Sequence, residues 1–118
     1  ASTFLRFGPH GALPAYSRGC DVAVVPSNRL ETFCMVALEA IACGCPLVVT
    51  DQVPEIIKCF PAVTAVASGD AVDLRRRIDA ALDGRVQPAD NTRMADYDWS
   101  GVARRYIALY QSALRHVA

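Results

Sequence analysis

The sequence predicts an α/β fold, a parallel sheet of about four strands flanked by helices, and three observations predict it. Short continuous apolar runs, such as Asp21 to Val25 and Pro46 to Thr50, are what strands look like when both faces are buried. Between them lie longer stretches whose apolar residues recur at helical spacing. Proline, glycine, serine and aspartate stand at the junctions, where elements start and stop. With 118 residues, 53% hydrophobic and 20% charged, the chain suits one domain with a single core.

Taken in order, Phe4 to Phe7 is a candidate strand closed by Gly8, and Leu13 to Arg18 reads as a short helix. Asp21 to Val25 is a strand stopped by Pro26-Ser27. A helix follows from about Phe33 to Cys43, ended by Gly44 in the position that favours a left-handed cap, and Pro46 to Thr50 is the next buried strand. Pro54 opens another short helix, and Ala62 to Ala67 is a further strand. Asp70 can cap a helix running to about Asp83, with Val72, Ile78, Ala81 and Leu82 apolar and Arg75 to Arg77 on a solvated face. Gly84 to Asn91, carrying Gln87, Pro88 and Asp90, reads as a loop. The final helix runs from about Ser100 to His116, and its stripe of Val102, Tyr106, Leu109, Tyr110 and Ala113 reads as packing surface.

Twelve basic and twelve acidic side chains cancel, so no net field favours nucleic acid or an anionic membrane as a partner. No apolar run approaches the roughly 18 to 20 residues of a membrane span, and the amino terminus lacks the basic flank and apolar stretch of a signal peptide. The expectation is a soluble, cytoplasmic protein. Cys20, Cys34, Cys43, Cys45 and Cys59 form an odd set without a CxxC pair, which fits buried, reduced thiols and no metal site.

The chemistry concentrates between Pro26 and Gly44. Glu39 sits among Met35, Val36, Ala37, Leu38, Ala40, Ile41 and Ala42. A helix apolar on every side is usually buried, and a buried carboxylate is costly without a partner, so Glu39 is expected mostly buried near Glu31 on one side of a cleft. Glu31 precedes the same helix, where unpaired amides and the helix dipole favour an anion and can hold a diphosphate. Seven residues separate the two glutamates, a little over two helical turns, which would set Glu31 at the mouth and Glu39 deeper. Two readings are open on spacing alone. Either the pair accepts hydrogen bonds from sugar and ribose hydroxyls, or Glu31 caps the helix and Glu39 pairs with an arginine.

The run PSNRLETFCMVALEAIACGCPLVVTD resembles the donor-site signature of the retaining glycosyltransferases of group 1, which have the GT-B fold. Its hallmark is two glutamates separated by seven residues, then a small-residue helix end and a Pro-Val-Val-type strand. Phe4 to Gly8, Asp21 to Ser27, Pro54-Glu55 and Asp98-Trp99 with Tyr106 to Tyr110 fall in the family's order, so the resemblance spans nearly the whole chain. It implies a partial, Rossmann-like carboxy-terminal domain that binds a nucleotide-diphosphate sugar as donor substrate, with no cofactor and no metal. It also implies that Glu31 contacts the transferred sugar and Glu39 the ribose, with the amides of Phe33, Cys34 and Met35 facing sugar and diphosphate. The motif usually has glycine where this chain has Thr32 and Cys34, which puts the amide contacts in question. Ser27 and Asn28 are pocket-lining or turn residues, and Glu55 is a family match or a helix cap.

By the same resemblance the chain begins at the third of about six strands. The basic residues expected after the first strand are missing, with Arg6 inside a strand, and so is the amino-terminal acceptor domain, so the chain alone is expected to be inactive. Phe4 to Phe7 is then expected to pair beside Asp21 to Val25, or with a second copy in a homodimer. The competing function is a stand-alone Rossmann-like binding or interaction module without catalysis. An NAD-type domain is disfavoured because no GxGxxG follows a strand.

Overall fold

The computed structural model describes residues 8–86, 89–90 and 92–117. The expected strand at Phe4 to Phe7, with Arg6 in it, lies outside them, as do Gln87, Pro88 and Asn91 of the expected loop.

Among the described residues five α-helices and three strands follow one another: α1 (Leu13–Arg18), β1 (Ala23–Val25), α2 (Met35–Ala42), β2 (Leu47–Thr50), α3 (Glu55–Lys58), β3 (Val63–Val66), α4 (Ala71–Leu82) and α5 (Trp99–Val117). The strands form a parallel sheet in the order β1-β2-β3, with Ala23 opposite Leu47 and Leu47 opposite Val63. Every residue of the central strand β2 is buried, which is why Leu47, Val48 and Val49 run apolar without alternation. The three described strands carry the α/β architecture that the sequence predicts.

Local rules account for most boundaries. Asp70 caps α4 by accepting from the Asp73 amide at 2.9 Å, and Pro54 precedes the first turn of α3. At the end of α2 the Gly44 amide donates to the Ile41 carbonyl and the Cys45 amide to the Ala40 carbonyl, the paired bonds of a Schellman turn. Gly44 takes the left-handed conformation this turn requires, with φ 81°. The core beneath α2 and β2 holds Ala37, Leu38, Ile41, Leu47, Val49, Val53 and Ile57. Truncating Ile41 to alanine there costs roughly 2–5 kcal/mol.

Four expectations need correcting. Helix α2 starts at Met35 rather than Phe33, because Cys34 is left-handed (φ 61°, ψ 65°) and breaks the helical run before it. Arg77 is not simply solvated: it is half-buried, with Nε 3.4 Å from the Asp73 carboxylate. Cys20 and Cys59 are exposed, since each follows the end of a short surface helix, whereas Cys34 and Cys45 are buried. The apolar stripe of α5 is exposed: this helix packs mainly on a 3-10 segment, Thr92–Tyr97, and Tyr106, Leu109 and Tyr110 face outward. The molecule is accordingly long, 63 × 31 × 25 Å, with a radius of gyration of 17.2 Å against about 13 Å for a compact chain of 100 residues.

Candidate functional site

The segment between β1 and α2 leaves the sheet at the carboxyl ends of the strands, the side on which open α/β sheets bind ligands. Pro26 and Ser27 follow β1 directly, and the segment is tied to the end of β2 at two points. The Thr50 hydroxyl donates to the Ser27 carbonyl at 2.6 Å, and the Glu31 amide donates to the Gln52 carbonyl at 2.9 Å. Between these ties the Ser27 hydroxyl donates to Glu31 Oε1 at 2.8 Å. A half-buried carboxylate is thus held by a hydroxyl four residues earlier, in a loop fixed at both ends.

Glu31 lies in this loop and not on the helix, so helical spacing is not what positions it. Its orientation comes from Ser27 and from its own amide. Thr32 and Phe33 are exposed, and Cys34 is buried, with its side chain in the core cluster. Burial pushes the Cys34 thiol above its ordinary pKa, the Ala37 amide pulls it back, and the nearby Glu31 charge raises it further. Met35 opens α2, where the Ala37 and Leu38 amides both donate to the Cys34 carbonyl, at 3.1 and 3.4 Å.

Glu39 departs from expectation. It is half-buried rather than mostly buried, because α2 is not buried on every side: Met35 and Val36 are each 58% exposed, while Ala37, Leu38, Ala40 and Ile41 form the covered face. Among the described residues no arginine or lysine forms an ion pair with Glu39, and Glu31 does not cap α2, since the residue before Met35 is Cys34 and offers no capping bond. The capping and pairing alternative therefore lacks support in the geometry.

Glu39 borders two grooves. One, of about 270 Å³, lies against α1, with Leu13, Pro14, Ser17 and Arg18 on its far side. The other, also about 270 Å³, brings Phe33 and Met35 to Glu39, with Met94, Tyr97 and Asp98 opposite. Glu31 and Ser27 do not line it. Of the expected site residues, the structure joins Ser27 with Glu31, and Phe33 and Met35 with Glu39.

Sequence reasoning missed Met94 and Tyr97, which the 3-10 segment carries to the groove and against the core. Tyr97 also packs on Phe60, with ring centroids 6.1 Å apart, and the Arg93 guanidinium lies over the same Phe60 ring, 5.2 Å from its centroid. The signal for them in the sequence is the three-residue spacing of Met94 and Tyr97.

A parallel α/β sheet flanked by helices, with an anchored, carboxylate-bearing loop at its carboxyl end, defines a Rossmann-like domain. The sequence profile of the glycosyl transferases of group 1 matches residues 1–98, and the chain belongs to that family. It is 33% identical over 98% of its length to a glycogen synthase of Mycobacterium tuberculosis, covering 30% of that protein. It is 32% identical over 90% of its length to a D-inositol 3-phosphate glycosyltransferase of Catenulispora acidiphila, covering 27% of it. A D-inositol 3-phosphate glycosyltransferase of Mycobacterium bovis is 31% identical over 95% of the chain, which covers 25% of it. The chain thus spans less than a third of the length of these relatives. No solved structure matches it.

Proposed function

We propose that this chain is the donor-binding part of a retaining glycosyltransferase, and that it holds a nucleotide-diphosphate sugar at the carboxyl end of its sheet. The observation that carries the reading is the Ser27–Glu31 hydrogen bond in a loop fixed to the end of β2. A carboxylate oriented this way keeps acceptor capacity on its second oxygen, which suits a sugar hydroxyl. Glu39, free of any cationic partner among the described residues, accepts from the ribose hydroxyls. The amides of Phe33, Cys34 and Met35 face sugar and diphosphate, and the positive end of the α2 dipole stabilises the diphosphate as it leaves. The Cys34 side chain, standing where the family usually has glycine, packs into the core and not over the loop.

Transfer needs an acceptor substrate, bound by a second domain of the complete protein, and neither cofactor nor metal takes part. The site operates in the cytoplasm, where nucleotide sugars are made.

Calorimetric titration of the complete protein with UDP-, GDP- and ADP-linked sugars tests the donor assignment. Saturable binding of one class is expected, and binding of none would refute it. The anomeric configuration of the product, read by proton NMR, tests retention, and an inverted product would overturn that part alone.

A further inference from the structure

We propose that Thr50 is a positioning residue for Glu31, acting through Ser27; this rests on the reading of Glu31 as the carboxylate that contacts the transferred sugar.

Thr50 is the last residue of β2 and the one buried polar side chain among the described residues, at 4% exposure. Its neighbours Leu47, Val48 and Val49 are what a fully buried strand ordinarily contains, and valine would fill the same volume. A hydroxyl in that place is unfavourable unless it is bonded. Here it donates to the Ser27 carbonyl at 2.6 Å, and the two-fold branching at Cβ limits the directions in which it can point. The bond fixes the peptide plane of Ser27, whose own hydroxyl reaches Glu31 at 2.8 Å. The Glu31 amide returns to the Gln52 carbonyl at 2.9 Å, two residues past Thr50.

These contacts close a ring: Thr50 to Ser27, Ser27 to Glu31, Glu31 to Gln52, and back along the main chain to Thr50. The end of the fully buried strand β2 is thereby coupled to a carboxylate in a loop. Without the Thr50 hydroxyl the Ser27 peptide loses a tether, and the Ser27 hydroxyl no longer holds Glu31 in one orientation. A displacement of the order of 1 Å at a reacting group lowers turnover by up to about a hundredfold while leaving much of the ground-state binding intact.

The test uses the complete enzyme with the donor that the titration panel selects. Thr50→Val is expected to lower kcat by about tenfold or more with KM for the donor changed less than about threefold, and Thr50→Ser to restore most of kcat. Ser27→Ala should lower kcat similarly, and the double variant should be no worse than Ser27→Ala alone, because both act through one group. A merely structural Thr50 would give additive losses. If Thr50→Val does not fold, Thr50→Cys, with a weak donor of similar size, carries the same comparison.

Unchanged kcat in a folded Thr50→Val protein, or additivity in the cycle, would overturn the proposal. Glu31→Ala separates this from failure of the underlying reading. Loss of activity in Glu31→Ala with a fully active Thr50→Val removes only the positioning role, whereas an active Glu31→Ala removes the donor-site reading itself.

Discussion

Cys34 and Gly44 bracket α2 with backbones of the same left-handed sense, φ 61° before its first residue and φ 81° after its last turn. Glycine takes that conformation freely, while for an L-residue it costs about 1–2 kcal/mol. The chain bears that strain at the start of α2 and avoids it at the end.

Gly44→Ala should therefore destabilise by about 1 kcal/mol, even though an added Cβ there meets no atom within 4 Å. At Cys34 the order is reversed. Cys34→Gly should lie within about 1 kcal/mol of the parent, because relief of strain offsets the lost buried thiol, whereas Cys34→Val should lose about 2 kcal/mol or more. Urea denaturation of the four proteins checks both, and a Cys34→Val protein as stable as Cys34→Gly would contradict the strain argument.

Glu31→Ala and Glu39→Ala should separate in kinetics. In the complete enzyme the first should lower kcat on the order of a hundredfold, and the second should chiefly raise KM for the donor, by about tenfold. Steady-state measurements at varied donor concentration distinguish them. Wild-type values in both variants would return Glu31 and Glu39 to structural roles.

Much of this was legible beforehand, for physical reasons that can be named. The end of α2 and the strand within Pro46 to Thr50 are legible because a capping glycine, Gly44, and a run of apolar, mostly β-branched residues state their conformation locally. The Asp70 cap was found because its partner is three residues away. What escaped depended on distant contacts. The left-handed Cys34 carries no signature of its own, since cysteine rarely adopts that conformation, and so the helix was begun two residues early. Burial of Glu39 was overestimated because composition says nothing about whether a neighbouring element exists to cover Met35 and Val36. The Ser27–Glu31 bond is equally invisible in the sequence, although both residues stand in the motif.

The thiols should divide into two reactivity groups. Burial raises the pKa of Cys34 and of Cys45, and the Cys45 thiol is further raised by the neighbouring Cys20, while Cys20 and Cys59 are exposed. At pH 8 iodoacetamide should modify Cys20 and Cys59 well before Cys34 and Cys45, as read by mass spectrometry of quenched peptides. Equal rates would show that the core around α2 opens readily.

Asp51 should contribute to acid sensitivity. The Gln52 side chain, at 3.0 Å, and then the Ser68 amide, also at 3.0 Å, hold its carboxyl below the ordinary carboxylate value of 3.8. A carboxyl depressed in the folded state adds stability above its unfolded pKa, and that contribution is lost as pH falls through the lower, folded value. Asp51→Asn should thus lower the denaturation midpoint at pH 7, with the gap from the parent closing below pH 3.8. A gap that stays constant with pH would rule the linkage out.

The spatial order of the strands, β1-β2-β3, repeats their order along the chain. Among the described residues each later strand therefore closes onto one already delivered, across segments 26–46 and 51–62, and none of the three has to be inserted between two that have already paired. Loop-closure entropy is modest at these separations, so the sheet can assemble progressively as the chain emerges from the ribosome. Loss of β3 would leave the β1–β2 pairing possible, while loss of β2 would deprive both neighbours at once. The same central strand ends in Thr50, so the segment on which assembly hinges is also the one that fixes the loop bearing Glu31.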